Sequence, residues 1–253
     1  MREYLNAECY KVLHRRYTYI ALAVLLGCVV LLVALWWTTN AYGGHVPLSG
    51  ALYTLVMMLS VGLYAPIITT DLVFSDQYKL GTMKNEVSYG LPRGRIYLGK
   101  LTVEVGVAAV ACVLAVALYL ALCVLTLTEG ADPDGMFMRS RLSEMWALVP
   151  RALLSAFPLW LGAQGVTHLC FFHLRGGVSA PFMALAVILG LPGVLKLLGM
   201  LLDPVFMTLR SFTLVAPMDA WDFPVWQCWA IGLGWFAVST LLGLALFRKR
   251  EIN

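Results

Sequence analysis

The chain has little charge: only 13% of its 253 residues are Asp, Glu, Lys or Arg, against about 25% in soluble domains. Hydrophobic residues make up 60% of it, and the mean hydropathy is +0.80. Such a composition excludes an ordinary soluble domain. At about 20 apolar residues per helical span, the chain has room for about six crossings and no separate catalytic domain. We therefore predict an all-α polytopic membrane protein with a single transmembrane domain over residues 1–253.

Recognisable catalytic and nucleotide-binding motifs are also missing. The sequence contains no HExxH, GxxxxGK[ST], GxGxxG or GxSxG, the signatures of zinc proteases, nucleotide-binding loops, dinucleotide sites and serine hydrolases. The six cysteines form no CxxC pair, so neither disulfides nor a cysteine metal site is predicted. His168 and His173 are five residues apart, whereas ligands on one helix face favour i, i+4. We expect no enzyme active site, metal or cofactor in this chain.

Six long apolar runs predict six membrane-spanning helices. The first follows a polar segment and is read as a retained helix rather than a signal peptide. The predicted spans lie at about residues 17–37, 51–74, 98–127, 148–174, 181–202 and 226–247.

The basic residues predict the orientation, because cytoplasmic segments retain Lys and Arg. With the N-terminus inside, only five of the 18 basic residues lie in outer segments or at outer helix ends, namely Arg139, Arg141, Arg151, Lys196 and Arg210. Both termini are therefore expected in the cytoplasm. The net charge of +4 is explained by basic residues that flank the spans on the cytoplasmic side. No nucleic-acid binding is therefore predicted.

Two inner segments differ from simple spans. Residues 1–16 carry apolar Leu5, Cys9, Val12 and Leu13 at helical spacing, which predicts a helix lying along the inner interface, with Glu8 on its polar face. Residues 75–97 are the longest polar inner segment. There Thr82 favours the start of a short helix ending near Tyr89, and Gly90 favours a left-handed stop before Pro92. Its five cations from Lys79 to Lys100 suit docking on a soluble partner.

Two further segments have unusual patterns. The third apolar run is longer than a bilayer needs, so its first turns, with Lys100 and Glu104, are expected to project into the cytosol. Residues 203–225 are apolar but interrupted by three prolines, which predicts a re-entrant or interfacial hairpin on the outer side. Asp71 and Glu104 lie near inner span ends, where water or Lys100 and Arg95 could reach them. No charge is central, which disfavours an ion-coupled carrier.

The inner segment carries a resemblance to a known family. Gly81-Thr82-Met83-Lys84-Asn85, Gly90, Arg93-Gly94-Arg95 and Ile96-Tyr97-Leu98-Gly99-Lys100-Leu101 resemble the stretch after the second helix in ABC-2 type permeases. The leader Glu8-Cys9-Tyr10-Lys11 with Arg15-Arg16 is similar to that family's interfacial leader. Asp76 stands where many relatives carry Glu. The nearest group is similar to bacterial exporters of peptide toxins and phenol-soluble modulins and to bacitracin- and lantibiotic-resistance permeases.

The resemblance implies a type V ATP-binding-cassette exporter fold in a bacterial plasma membrane, with a cytoplasmic coupling helix. Two permease chains, by default a homodimer, would dock on two cytosolic ATPases that bind ATP and Mg²⁺. The implied docking residues are Asp76, Gly81, Thr82, Lys84, Glu86, Arg93 and Arg95.

The implied path lies between the two chains and is lined by the second and fifth spans. It would carry amphipathic peptides or lipid-like antimicrobial cargo, because flexible methionine side chains adapt to varied shapes. Candidate lining and kink residues are Tyr53, Met57, Met58, Tyr64, Pro66 and Pro192.

Two alternatives remain open at this point. An integral-membrane hydrolase would use Glu104, His168 and His173 and would act without ATP. An ion-coupled carrier would use Asp71 as proton acceptor and would run on a pH gradient alone.

Overall fold

The computed structural model describes residues 2–74, 82–129, 142–174, 178–219 and 224–249, with the side chains of 82–84 left undescribed. All regular secondary structure in this part of the chain is helical. Six helices are long and apolar enough to cross a membrane. They are Arg16–Ala41, Leu48–Phe74, Arg93–Thr126, Leu142–His173, Ser179–Leu201 and Val225–Lys249. The predicted all-α fold and all six predicted spans are confirmed, with ends that differ by a few residues.

Some spans consist of several helical segments, and short helices lie between spans. In chain order the α-helices are α1 (Arg2–Leu13), α2 (Arg16–Ala41), α3 (Leu48–Met58), α4 (Ala65–Phe74), α5 (Thr82–Ser88), α6 (Arg93–Thr126), α7 (Leu142–His173), α8 (Ser179–Leu185), α9 (Leu191–Leu201), α10 (Val205–Arg210) and α11 (Val225–Lys249).

The second and fifth spans change helix type along their length. A 3₁₀ segment, Leu59–Tyr64, joins α3 to α4, and a π-helical segment, Ala186–Gly190, joins α8 to α9. Each segment ends just before a buried proline, Pro66 or Pro192. Proline lacks an N–H and crowds the preceding turn, so a helix that contains one adjusts its hydrogen bonding there. The two prolines predicted as kink points therefore mark the interruptions of these spans.

The described residues divide into two compact units. The first comprises Met1–His14, Ser60–Ala108 and Ser155–Asn253. One of its apolar cores brings together side chains from the second, fourth, fifth and sixth spans and from the segment before the last span. The fully buried members include Leu63, Leu159, Ala163, Ile188, Leu214 and Cys228.

Close packing in this unit depends on a glycine of α11. A Cβ atom at Gly232 would overlap the backbone carbonyl of Pro158 in α7 and come within 2.7 Å of the Leu159 nitrogen. Backbone atoms cannot rotate away as a flexible side chain can, so this contact requires glycine. By contrast, a Cβ at Gly234, two residues further on, would meet nothing within 4 Å.

The second unit comprises Arg15–Leu59 and Ala109–Leu154. After α2 the chain turns at Gly43, whose φ of 91° is in the left-handed region. The Asn40 side chain closes this turn by accepting from Val46 N at 2.6 Å and donating to Val46 O at 3.0 Å. The Tyr119 hydroxyl donates to Ala51 O at 2.7 Å, which ties α6 to α3.

Residues 203–225 precede the last span, and the structure describes them apart from 220–223. They contain α10 and one 3₁₀ turn, Ala216–Asp219. The Trp235 indole N–H of α11 donates to Phe212 O at 2.8 Å, and the Gly199 backbone lies against Met207. The segment is thus folded onto α9 and α11 as short helical pieces, while its predicted re-entrant placement stays a prediction.

Candidate docking site: an ion-paired junction of α1, α5 and α6

The polar segment between the second and third spans forms the short helix that its sequence predicts. Helix α5 occupies Thr82–Ser88, and Gly90 follows it with a φ of 80°. Only glycine adopts that left-handed conformation without strain, so it ends the helix. Pro92 O accepts from Arg95 N at 2.8 Å at the start of α6. The predicted short helix and its glycine stop are confirmed.

Lys100, on the second turn of α6, holds the junction together. Its ammonium lies 3.3 Å from Glu8 Oε1 of α1 and 3.3 Å from Glu86 Oε1 of α5. The Lys100 side chain is 0% exposed and that of Glu8 is 1% exposed. Burying charge is costly unless opposite charges and hydrogen bonds satisfy it. The three side chains therefore depend on one another, and they link three helices.

Two more side chains complete this network. Lys11 Nζ donates to Glu8 Oε1 at 2.6 Å and to Glu86 Oε1 at 3.2 Å. The Tyr4 hydroxyl donates to Glu86 Oε2 at 3.1 Å. Tyr4 also packs on the backbone of α6, where a Cβ at Gly99 would come within 2.5 Å of its ring. Both Glu86 oxygens thus have partners inside the protein.

The network shifts the pKa values of three side chains of α1, namely Tyr4, Glu8 and Lys11. Burial raises the pKa of Glu8, but the charges of Lys100 and Lys11 and their hydrogen bonds outweigh it, so the pKa lies below its ordinary value. Burial and the carboxylates of Glu8 and Glu86 raise the pKa of Tyr4, which keeps its hydroxyl a donor. Burial lowers the pKa of Lys11, yet its contacts with Glu8 and Glu86 raise it overall. At neutral pH, Glu8 and Lys11 are therefore charged and Tyr4 is neutral.

The inward face of α1 differs from the expected one. Glu8, predicted on the polar face, is buried together with Val12, whereas Cys9 and the predicted apolar residue Leu13 are exposed. The reason is Lys100, which supplies a buried counter-charge that amphipathic spacing alone does not reveal. Lys100 and Glu104 lie in the turns of α6 that are expected to project into the cytosol, and both are 0% exposed. Both are thus packed against other helices, and the projection of these turns beyond the membrane stays a prediction.

The predicted docking residues fall into three groups. Asp76 and Gly81 lie outside the described residues, and for Thr82 and Lys84 only a place in α5 is described. Glu86 is held inward, and Arg93 Nη1 donates to the carbonyls of Phe247 at 3.1 Å and Arg248 at 2.7 Å, capping α11. Arg95 is exposed. Glu86 thus belongs to the junction and Arg93 joins α6 to the end of α11, while the Arg95 side chain is exposed.

Residue 89 is a further exposed feature at the end of α5. Tyr89 is 87% exposed, and the neighbouring Asn85 and Ser88 are exposed as well. An aromatic side chain so fully in solvent at a helix end is unusual, because burying its ring is favourable. The resemblance implies docking through the region from Asp76 to Tyr89 but does not name Tyr89 among the individual docking residues. The sequence feature that could have indicated Tyr89 is its position between the end of α5 and Gly90.

The candidate path residues differ in how exposed their side chains are. Met57 is 37% and Met58 49% exposed, Tyr53 and Tyr64 are half-buried, and Pro66 and Pro192 are buried. Tyr64 packs against the apolar core that contains Leu63 and Leu159. The prediction that these residues line a path stays a prediction.

The residues of the alternative hydrolase are only partly brought together. Glu104 Oε1 lies 2.8 Å from His168 Nδ1, while His173 Nε2 contacts Gly243 O at 3.2 Å. Lys100 and Arg95 were expected to be able to pair with Glu104. In the structure Glu104 pairs with His168 instead, and Lys100 pairs with Glu8 and Glu86. Within the described residues, no three His, Cys, Asp or Glu side chains are grouped to hold a metal ion.

Comparisons with known proteins add no relatives: no protein-family model matches the chain, and no curated protein matches it significantly. The resemblance to ABC-2 type permeases thus rests on the residues quoted above.

Proposed function

We propose that the chain is the permease subunit of an ATP-binding-cassette exporter, with its ATPase on a separate chain. The observation that carries the proposal is the buried ammonium of Lys100, which joins α5 to the first turns of a 34-residue membrane-spanning helix. A helix outside the spans that is so firmly tied to a span suits the transfer of mechanical work. The chain lacks a nucleotide-binding loop of its own, so this work would come from a partner.

The path of force is defined by the ion pairs. A partner that binds the exposed face of α5 would move α5, and Glu86 would move with it. Because Lys100 and Lys11 both contact Glu86, α1 and α6 would move with it rather than independently. Breaking these contacts would leave buried charges without a partner, which is costly. A movement of α1, α5 and α6 together is therefore favoured over a movement of α5 alone.

The interrupted spans support the same function. Of the six spans in the described part of the chain, the second and fifth contain non-α segments. Short 3₁₀ or π stretches inside helices are frequent at hinges and functional sites. The same two spans are the ones that the family resemblance assigns to the transport path. In the proposed exporter they would open and close a path for amphipathic peptide or lipid-like cargo.

The finer features belong to this proposal. The termini would be cytoplasmic, α1 would lie at the inner interface of a bacterial plasma membrane, and residues 203–225 would form an outer re-entrant gate. Two copies would assemble with two ATPases, since two-fold homodimers are the commonest closed assembly. Peptide-toxin export and antimicrobial resistance are the corresponding physiological roles.

Co-purification of this chain in nanodiscs with a candidate ATPase subunit tests the proposal. We expect a two-plus-two complex whose ATP turnover rises when an amphipathic peptide is added. A permease that stays alone, or one that never alters ATP turnover, would contradict it. Transport in ATP-free vesicles driven by a pH gradient would favour the carrier alternative instead.

A further inference from the structure

A second buried polar cluster lies within the first compact unit, at the level of α4, α6 and α7. Its five members are at most 5% exposed, and Glu104 is at its centre. They are Thr69 and Thr70 from α4, Glu104 from α6, and Gln164 and His168 from α7. All three helices belong to predicted membrane spans. Ionisable residues inside such spans are costly, so they commonly mark a function.

The hydrogen bonds of this cluster converge on the Glu104 carboxylate. Gln164 Nε2 donates to Glu104 Oε2 at 2.9 Å, and the Thr70 hydroxyl donates to the same oxygen at 3.3 Å. His168 Nδ1 lies 2.8 Å from Oε1. The Thr69 hydroxyl donates to Gln164 Oε1 at 3.0 Å, which orients the amide. Each Glu104 oxygen thus faces at least one side chain that is able to donate a hydrogen bond to it, as a carboxylate requires.

If Glu104 is ionised inside this buried cluster, it requires a positive partner. Lys100 lies one turn earlier on α6, but its ammonium is engaged by Glu8 and Glu86. Among the described residues, His168 is the basic side chain within hydrogen-bonding distance of Glu104. An unpaired buried charge costs several kcal/mol, roughly, even after the protein relaxes. Protonation of the imidazole removes that cost.

We propose that Glu104 and His168 form a proton-binding site inside the membrane-spanning helices, which holds one proton as an imidazolium–carboxylate pair. The ligand of this site is the proton itself. Nδ1–H donates to Glu104, so the exchangeable proton is on Nε2, which has no hydrogen-bond partner among the described residues. Release of that proton leaves a neutral imidazole and a net charge of −1 on the pair.

Aromatic rings enclose the imidazole on its other sides. The ring centroid of His168 lies 4.4 Å from that of Tyr97, 5.5 Å from that of Phe74 and 5.5 Å from that of Phe172. A charge on the imidazole therefore depends on Glu104 for compensation, because these aromatic rings offer it no counter-charge.

Other titratable groups of the packed helices do not replace His168 as the counter-charge. They are Asp71 beside Thr70 on α4, Tyr97 and Lys100 on α6, and Cys170 on α7. From α11, the neighbour of Tyr97 is Gly243, which carries no charge. Asp71 would add negative charge, Tyr97 and Cys170 are uncharged at neutral pH, and Lys100 is already paired. Of these groups, His168 is therefore the one available as a counter-charge to Glu104.

The site lies where the second span changes helix type. Thr69 and Thr70 follow the 3₁₀ segment and Pro66, and the Thr69 hydroxyl also approaches Pro66 O at 3.2 Å. Losing the proton would place a net charge beside this transition and weaken the contact of α4 with α7. The inference does not depend on an ATPase, so it stands apart from the exporter proposal.

Nitrogen NMR of the full chain, labelled with ¹⁵N-histidine in nanodiscs at about pH 7.5, tests the site. The chain has four histidines, and His168→Gln identifies the relevant signal. We expect both ring nitrogens of His168 to be protonated in the wild type. In Glu104→Gln the imidazole should lose one proton, because its counter-charge is gone. His173→Gln is the control and should leave the His168 signal unchanged.

Two results would overturn the site: a neutral His168 imidazole in the wild type, or an imidazolium that persists in Glu104→Gln. The wild-type spectrum decides even where Glu104→Gln does not fold. In that case Glu104→Asp, which keeps the charge, should retain the imidazolium signal, and loss of that signal in a folded Glu104→Asp chain would count against the pairing.

Discussion

Lys100 of α6 and Glu8 of α1 form an ion pair of 3.3 Å in which both side chains are buried. They are 92 positions apart in the sequence, and no local pattern pairs them. The contact fixes the N-terminal helix to the third span, and Glu86 brings α5 to the same ammonium. The stability of this junction and its proposed role in coupling both depend on that shared cation.

Replacing Lys100 by methionine should destabilise the protein strongly. The change leaves Glu8 and Glu86 near each other without their buried cation, and breaking a buried pair by removing one partner costs about 3–5 kcal/mol. Chemical denaturation in detergent micelles, followed by tryptophan fluorescence, measures the loss. The double variant Glu8→Gln, Lys100→Met should lose less than the sum of the single variants. Strictly additive losses would show that the two residues do not interact.

Acid should weaken the same junction through Glu8. The pKa of Glu8 is lowered from its ordinary value of 4.5 in the folded protein. Its contribution to stability is therefore complete above about pH 4.5 and is lost as the pH falls through the lower folded value. Thermal unfolding midpoints between neutral pH and about pH 3 would show this. Glu8→Gln should be less stable at neutral pH and should show a smaller fall; an equal fall would argue against Glu8.

Gly232→Ala should disrupt the packing of α7 and α11. The added methyl group meets the Pro158 carbonyl and the Leu159 nitrogen, which belong to backbone and cannot move independently. Forced overpacking costs about 1–3 kcal/mol or more. Gly234→Ala is the matched control, because its Cβ meets nothing within 4 Å and alanine favours helix by about 1 kcal/mol. Opposite shifts in melting temperature are expected, and equal shifts would contradict the contact.

Tyr89→Ala should weaken binding of the proposed ATPase while leaving the fold intact. Its ring is 87% exposed at the end of α5, and tyrosines that become buried in an interface commonly dominate its binding energy, at about 2 kcal/mol or more. Titration of purified permease with ATPase measures the affinity. Tyr42→Ala is the control, since Tyr42 is 92% exposed but lies outside the junction. Equal affinity of both variants with the wild type would remove Tyr89 from the interface.

Substitutions of two arginines in the first turn of α6, Arg93 and Arg95, should have different effects on docking and on stability. Arg95 is exposed, so Arg95→Glu should reduce association with the ATPase about tenfold, mainly by slowing it, with unchanged melting. Arg93→Gln removes the donor to Phe247 O and Arg248 O and should lower the melting temperature by a few degrees, roughly. A melting loss in Arg95→Glu, or none in Arg93→Gln, would reverse these assignments.

The fold was predictable because its signals are local. Each span is a predominantly apolar run long enough to cross a bilayer, and the boundaries follow polar residues, glycines and prolines that act on the adjacent backbone. Gly90 shows this well: its left-handed conformation ends α5 at the position that the residue order indicates. The inward face of α1 was mispredicted for the opposite reason, since the burial of Glu8 depends on Lys100.

The sequence by itself determined the number of spans, their lengths and the places where proline interrupts them, because apolar periodicity and backbone chemistry act over a few residues. Only the tertiary structure decided which charges meet: Glu8 and Glu86 with Lys100, and Glu104 with His168. A buried charge needs a counter-charge in space, and that partner can come from any helix packed beside it. Sequence spacing does not encode this choice, so both candidate sites became visible once the helices were packed.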